Sequence, residues 1–209
     1  RKGIYSNFEN REIEAPAHVE YFDTTNTGLL KLAISKSATT RIAGKTSRRQ
    51  PKKSFSFFAT NEDGLGQRFN YPIFRDKEIE DFGGLWVRAD ATSGRNVSEL
   101  WVGERFKNEL LYEVNRQMNG QVDMQAYEPV SVFLNGQYWG LYNLMERKGK
   151  DFIFNNHGET EVDILTSSDA KAVSGNISEY DQMIFYIAQN DITQNSIYQE
   201  ILNQIHVDS

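Results

Sequence analysis

The chain has 209 residues, of which 39% are hydrophobic and 12% aromatic, enough to fill the core of one large domain or two small ones. Its formal net charge of -6 argues against a general nucleic-acid-binding domain, because such domains usually carry an excess of Lys and Arg. The absence of cysteine excludes a disulfide framework and thiolate metal sites, but it leaves the compartment open.

The hydropathy and the first residues of the chain bear on two questions, whether it spans a membrane and whether it is part of a longer polypeptide. No apolar run is long enough to span a membrane, so we expect no membrane span. The sequence opens with Arg1-Lys2-Gly3, without an initiator Met or a signal-like apolar stretch. We therefore expect a piece of a longer polypeptide.

The first third of the chain has the alternating or short apolar runs of β-strands. Gly, Asn, Asp or Pro bound each run, and the predicted strands cover 17–22, 29–34, 40–43 and 54–58. We expect them to form one antiparallel sheet. Residues 60–81 are rich in Gly, Asn and Asp, which predicts a long excursion, and 85–88 is predicted to be a short strand.

A helix is predicted over 97–118, because apolar residues there recur at helical spacing. Asn96 or Ser98 could cap its start, and Asn119-Gly120 would end it.

A β-hairpin is predicted next, with strands over 127–134 and 138–144. They flank Asn135-Gly136, the pair that best tolerates the positive φ angles of a type I′ turn. Further along, the sequence predicts a short helix over 150–157, a strand over 162–165 and a polar loop over 166–177. Two helices are expected within 178–205, separated near 191–193.

Several short motifs resemble known sites but lack their context. Asp81-Phe82-Gly83 spells a kinase metal-binding triplet, yet it lies before the long helix, so a surface turn is the better interpretation. Ala43-Gly44-Lys45-Thr46 resembles the end of a P-loop but lacks its first glycine and is flanked by strands on both sides. The three histidines are far apart in sequence, which makes a zinc hydrolase a poor explanation.

A basic segment lies between the strands predicted at 40–43 and 54–58. Five cations fall within nine residues there: Lys45, Arg48, Arg49, Lys52 and Lys53. Arg provides a planar fork for phosphate and Lys a point charge, while the backbone of Gly44 and Ser47 can approach oxygen atoms closely. A solvated basic turn paired with acidic residues explains the same pattern, and the residues alone leave both explanations open.

The strand after this segment places Lys53 on one face with Phe55 and Phe57, if its side chains alternate. A lysine on an apolar face needs an anionic partner. That partner could be a bound phosphate or a carboxylate of the predicted helix, which carries Glu99, Glu104, Glu109 and Glu113. A strand lysine paired with a helix glutamate positions ATP phosphates in protein kinases.

Two longer runs carry a family resemblance. They are Ser47-Arg48-Arg49-Gln50-Pro51-Lys52-Lys53-Ser54-Phe55 and Leu134-Asn135-Gly136-Gln137-Tyr138-Trp139-Gly140-Leu141-Tyr142-Asn143-Leu144-Met145-Glu146-Arg147. With Pro16–Phe22 and the Asp90-x-Thr92-x-x-Arg95-Asn96 element, they resemble the CotH family, the spore-coat-H type of atypical protein kinases. The resemblance covers about residues 1–165.

The resemblance implies an α+β fold with a kinase-like N-lobe over 1–148 and the start of a helical C-lobe over 149–209. It implies binding of ATP with Mg²⁺ and phosphate transfer to Ser or Thr of a protein substrate. The implied nucleotide-binding residues are Ser47, Arg48, Lys52, Lys53 and Glu146, and the implied supporting residues are Asp90 and Arg95.

The resemblance also implies what these residues lack. The family's catalytic Asp and metal-binding Asp residues would follow the last residues of this sequence. We therefore expect no catalytic residue and no metal ligand here, and no phosphoryl transfer by these residues alone. An extracytoplasmic, cell-surface or spore-associated location in bacteria is the expectation for such a protein.

Two alternatives compete with the kinase interpretation. One is a non-catalytic surface module that binds an anionic polymer or a protein partner through the same basic segment. The other is a carbohydrate-active β domain that uses Trp86, Trp101 or Trp139 as platforms, although core packing explains these tryptophans more simply.

Overall fold

The computed structural model describes residues 3–10, 12–24, 28–60, 67–89, 94–97, 100–103, 106–120, 122–166 and 170–205, with backbone alone over 94–97 and 100–103. The strands are β1 (Ala15–Thr24), β2 (Leu30–Ala43), β3 (Ser54–Ala59), β4 (Phe69–Asn70), β5 (Asp81–Phe82), β6 (Gly84–Arg88), β7 (Gly94–Val97), β8 (Leu100–Gly103), β9 (Tyr127–Leu134), β10 (Gln137–Glu146), β11 (Ile164–Thr166) and β12 (Lys171–Ser174). The helices are α1 (Lys107–Gln117), α2 (Lys150–His157), α3 (Ser178–Gln189) and α4 (Asn195–Leu202).

One antiparallel sheet dominates the described part of the chain. Its six strands lie in the order β1-β2-β3-β6-β10-β9. Burial alternates residue by residue along β1, as expected where one face of a sheet packs on a core and the other meets solvent. Separate pairs are formed by β4 with β5, β7 with β8, and β11 with β12. The α+β class expected from the sequence is confirmed.

The core lies against one face of this sheet. Phe55, Val87 and Leu144 are register partners on neighbouring strands, so their side chains share that face, and each is buried. The segment between β3 and β6 covers them with Phe69 and Phe74, which are fully buried. Burying a phenylalanine contributes about 1.5–3 kcal/mol, so this excursion is part of the core.

The long helix predicted over 97–118 is shorter in the structure. It spans Lys107–Gln117, and residues 94–97 and 100–103 pair as antiparallel strands instead. Asn96 therefore lies in β7, Ser98 falls outside the described residues, and Phe106 stands at the cap position without a side-chain cap. Short apolar runs fit either periodicity, and Trp101 and Val102 favour a strand.

The other differences are smaller. The strands predicted over 29–34 and 40–43 form one strand, β2, because polar residues on its solvent face do not interrupt it. The polar loop predicted over 166–177 contains β12. Asn119, with φ of 51°, ends the helix region in a left-handed conformation as expected.

The hairpin and the C-terminal helices agree with the sequence. Asn135 and Gly136 join β9 to β10 with φ angles of 50° and 79°, as a type I′ turn requires. The helix predicted over 150–157 is α2, and α3 and α4 are the two expected helices of the tail. None of the described helices combines the length and hydropathy needed to cross a membrane, as expected.

Candidate functional site: the basic turn and its surroundings

The basic segment forms a compact turn between β2 and β3, which we call the basic turn (residues 44–53). It contains one turn of 3-10 helix over Thr46–Arg49. Gly44 has φ of 99°, and a Cβ there would overlap the Ser47 hydroxyl. A glycine is therefore required for the chain to leave β2 and bring Ser47 close to Gly44.

Arg48 lies inside the basic turn, with 6% of its surface exposed. Its guanidinium donates hydrogen bonds to backbone carbonyls on both sides, namely those of Gly44 at 2.7 Å, Phe8 at 2.8 Å, Asn10 at 3.5 Å and Ile42. A planar guanidinium has five N–H donors, so it can donate to several carbonyl groups at once. Arg48 therefore ties the N-terminal segment (residues 3–10) to the basic turn.

Lys53 is buried as the alternation predicted, with 4% of its surface exposed. Its ammonium donates to the carbonyls of Arg48 at 2.6 Å and Gln50 at 2.9 Å, and lies 4.0 Å from the ring centroid of Phe8. Burial lowers the pKa of the Lys53 amine. Carbonyl oxygens and an aromatic ring thus stabilise the cation in the place where the sequence suggested a phosphate or a carboxylate.

Lys52 contacts β10 instead. Its ammonium donates to the carbonyl of Leu141 in β10 and lies 4.2 Å from the ring centroid of Tyr142. The residue is partly buried. Lys52 therefore links the basic turn to the middle of β10.

Two cations of the basic turn remain at the surface. Lys45 and Arg49 are exposed. With Arg48, Phe8 and Glu9 they line a cavity of about 240 Å³. The volume suits a phosphate-sized group, and the exposed cations can reach it because the buried ones fix the backbone beneath them.

Glu146 lies apart from this turn, at the far end of β10. It is five residues beyond Leu141, a distance of about 17 Å along a strand. Its carboxylate accepts hydrogen bonds from Lys77 at 2.5 Å, from the amide N–H of Ala126 at 2.8 Å and from Asn156 at 3.2 Å. The structure therefore does not bring Glu146 together with Lys52 or Lys53.

The partners of Glu146 had no signal in the sequence. Lys77 lies in the run Arg75-Asp76-Lys77-Glu78, which is typical of a solvated surface. Lys77 also donates to Asn156 at 2.6 Å, which connects the excursion to α2. A cavity of about 480 Å³ lies beside this network, between α1 and the residues before β9.

One helix glutamate turns toward the sheet. Glu109 of α1 is 4% exposed and accepts a hydrogen bond from Asn143 of β10 at 2.7 Å. Glu113 instead pairs with Arg116 on the helix surface. Glu99 and Glu104 lie outside the described residues. Of the four glutamates considered from the sequence, Glu109 is thus the one seen packed on the sheet.

The two supporting residues stay predictions. Asp90 lies outside the described residues, and Arg95 is in β7, where only the backbone is described. Trp139, considered above as a platform, is 37% exposed and packs edge-to-face on Tyr5 at 5.8 Å. That contact fits packing between the hairpin and the N-terminal segment.

The geometry defines an antiparallel-sheet protein with a basic turn fixed by buried cations. A family model described as CotH kinase protein matches residues 40–208, from the end of β2 beyond α4. The chain therefore belongs to the CotH kinase family, as the sequence motifs indicated. A comparison with curated proteins gives no match.

Proposed function

We propose that this chain is the nucleotide-binding part of a CotH-type protein kinase, and that the basic turn holds the phosphates of ATP. Membership of the CotH kinase family supports the reaction class. The observation that carries the proposed site is the division of the basic turn into buried cations, which hold the backbone, and exposed cations, which line a small cavity.

The division into buried and exposed cations explains how five positive charges can lie close together in the basic turn. The cations of Arg48 and Lys53 donate hydrogen bonds to carbonyl oxygens, so both are held by the protein itself. Lys45 and Arg49 are exposed at the surface, where they line the small cavity together with Arg48 and Glu9. A phosphate there would accept charge-assisted hydrogen bonds from a rigid site, and no backbone ordering would be needed on binding.

The surrounding elements fit a kinase-like lobe. Two lysines lie directly before the strand β3, and a helix with a buried glutamate, α1, and a hairpin, β9–β10, follow later in the chain. Lys52 reaches β10 beside Tyr142, and Glu109 reaches the next residue of β10, Asn143. We propose that Lys52 contributes to binding from this position, while Lys53 and Ser47 shape the turn.

A divalent metal is a separate question. Among the described residues, no group of three or more His, Asp or Glu side chains could hold a metal ion. The proposal therefore assigns these residues ATP phosphates and no magnesium ligand. The phosphoacceptor of the proposed kinase is a Ser or Thr hydroxyl of a protein.

Isothermal titration of ATP, with and without Mg²⁺, tests the proposal. The informative variant is Lys45→Ala/Arg49→Ala, which removes the two exposed cations of the cavity. Lys31→Ala/Lys150→Ala is the matched control, because it also removes two exposed cations, but from β2 and α2. We expect a loss of affinity of about tenfold or more in the first variant alone. Equal affinities in all three proteins would contradict the proposal.

The same variants address the alternative of a non-catalytic surface module. Such a module would bind sulfated or phosphorylated polymers through Lys45 and Arg49 without preference for a nucleotide, and salt would weaken that binding steeply. A competition between ATP and polyphosphate at two salt concentrations separates the two functions. Preference for ATP over a triphosphate without a base supports the kinase.

A further inference from the structure

A second cationic cluster lies on the sheet face opposite the core. Arg41 of β2 pairs in register with Ser56 of β3, and Phe58 follows two residues later, so these three side chains share a face. Phe55 points to the core on the other face. The guanidinium carbon of Arg41 lies 4.9 Å from the centroid of the Phe58 ring.

A second arginine approaches the same ring. Arg147 follows β10, and its guanidinium carbon lies 4.8 Å from the Phe58 centroid. Gly84, the register partner of Phe58, makes the approach possible. A Cβ at Gly84 would lie 3.2 Å from Cδ of Arg147, 3.2 Å from the carbonyl oxygen of Phe57 and 3.3 Å from Cδ1 of Phe58, closer than packed atoms ordinarily come.

The charge of Arg147 has no direct partner in the part of the chain that the structure describes. Arg147 is partly buried and makes no hydrogen bond or ion pair there. Burial and the neighbouring charge of Arg41 lower the pKa of Arg147. The carboxylate of Asp151 interacts electrostatically with Arg147. However, this carboxylate pairs with Arg68 at 2.6 Å and accepts a hydrogen bond from the N–H of Gly83 at 2.8 Å.

Arg41 keeps most of its capacity for an anion as well. Its carboxylate neighbour is Glu14 at 3.7 Å, and both side chains are substantially exposed, at 33% and 40%. An exposed pair at this separation contributes little. Two guanidinium groups beside one aromatic ring, one of them partly buried, therefore form a site that is incomplete without an anion.

We propose that Arg41 and Arg147 together bind one phosphate group beside Phe58. A phosphate dianion matches two guanidinium charges, and its several oxygens can accept forked hydrogen bonds from both. The Phe58 ring makes a cation–π contact with each guanidinium, at 4.9 Å and 4.8 Å from its centroid, and so favours both charges beside it. This site uses no residue of the basic turn, so it is independent of the nucleotide site proposed above.

Titration with inorganic phosphate and, separately, with O-phosphoserine tests this inference. Arg147→Met keeps the apolar stem against Phe58 and removes the charge, and Arg41→Met does the same in β2. Arg75→Met is the control, because it removes one arginine charge from a side chain that is 69% exposed and pairs with Asp23 at 3.6 Å and Glu128 at 3.9 Å. We expect the first two substitutions to weaken phosphate binding by about tenfold or more, and the control to leave it unchanged.

A thermal unfolding scan distinguishes a binding role from a structural one. Because Arg147→Met removes an uncompensated, partly buried charge, its midpoint without phosphate should be at least that of the unaltered protein, while the rise on adding phosphate should be lost. Gly84→Ala gives a second check, since it displaces Arg147 but retains both arginines, and it too should weaken phosphate binding.

The phosphate affinities of the variants decide whether phosphate binds at Arg41 and Arg147. Equal phosphate affinity in Arg147→Met and the unaltered protein would overturn the inference. A loss seen only in Lys45→Ala/Arg49→Ala would also overturn it, because the phosphate would then belong to the basic turn. Tighter binding of O-phosphoserine than of inorganic phosphate would support the site and identify a phosphomonoester as its ligand, and equal binding would support it for free phosphate.

Discussion

The ammonium of Lys77 lies 2.5 Å from the carboxylate of Glu146, in an ion pair whose side chains are only 19% and 2% exposed. The two residues are 69 positions apart in the chain. Asn156 of α2 bonds to both, so the pair joins the excursion, the end of β10 and α2. Breaking it would leave a carboxylate in the interior without its counter-charge.

We expect Lys77→Met to lower the free energy of unfolding by about 3 kcal/mol or more, because it leaves the buried charge of Glu146 uncompensated. Lys77→Met/Glu146→Gln should recover part of the loss, since the second change removes that charge. Urea denaturation measures both. Lys150→Met, an exposed lysine of α2, is the control and should change stability by less than about 0.5 kcal/mol. A loss in Lys77→Met no larger than the control would refute the pairing.

The neighbouring arginines of the basic turn should respond very differently to truncation. Arg48→Ala removes a buried guanidinium and leaves buried carbonyls without donors, for an expected loss of about 3 kcal/mol or more. Arg49→Ala removes an exposed side chain and should alter stability by less than about 0.5 kcal/mol. Thermal or urea unfolding of the two variants gives the comparison, and similar losses would contradict the division of the turn.

A pH effect is expected at Glu128 in β9. Burial raises the pKa of this carboxyl above its ordinary value of 4.5, and Arg75 at 3.9 Å offsets burial only in part. A raised pKa in the folded state means that the ionised form opposes folding, and that this penalty vanishes as the pH falls below the ordinary value. Glu128→Gln should therefore raise the urea midpoint at pH 7, with the gain disappearing in acid.

Glu113 provides the control of opposite sign. Its hydrogen bonds to Arg116 and Gln117 lower the pKa of the carboxyl, so its ionised form favours folding. Glu113→Gln should not stabilise the protein at pH 7, and any loss should fade as the pH falls through the depressed pKa. If both substitutions shifted the midpoint in the same direction at pH 7, the account of Glu128 would be wrong.

The hairpin turn allows a test of backbone strain alone. Gly136 has φ of 79°, and a Cβ there would meet no atom within 4 Å. Gly136→Ala should therefore cost about 1 kcal/mol through the left-handed conformation and not through a clash. Asn135→Gly, at φ of 50°, should be tolerated with little change. Equal stability of Gly136→Ala and the unaltered protein, by urea unfolding, would contradict a type I′ turn.

Local patterns predicted most of the sheet. Alternating side chains identify β1, a short apolar run identifies β3, and Asn135-Gly136 identifies the β9–β10 hairpin, because these signals depend on residues close in sequence. The start of α1 was missed, since the apolar spacing before Lys107 fits both a helix and short strands. The burial of Lys53 was predicted from its neighbours on the strand, Phe55 and Phe57.

Contacts between distant segments could not be predicted from the sequence. The carbonyl groups that accept hydrogen bonds from Arg48 include that of Phe8, 40 positions earlier in the chain. The ion-pair partner of Glu146 is Lys77, which lies in a polar run. The surroundings of Arg147 could not be predicted from the sequence either. Its position beside Phe58 depends on Gly84 of a third strand, which no local pattern indicates.

We propose that the exposed cations of the basic turn bind nucleotide phosphates while the buried ones hold the turn. The most direct measurement is a titration of ATP and Mg²⁺ into ¹⁵N-labelled protein, followed by amide chemical shifts. The account predicts the largest shifts over residues 44–53, centred on Lys45 and Arg49, and their absence in Lys45→Ala/Arg49→Ala. Shifts confined to the cavity beside α1, or no saturable shifts at all, would contradict it.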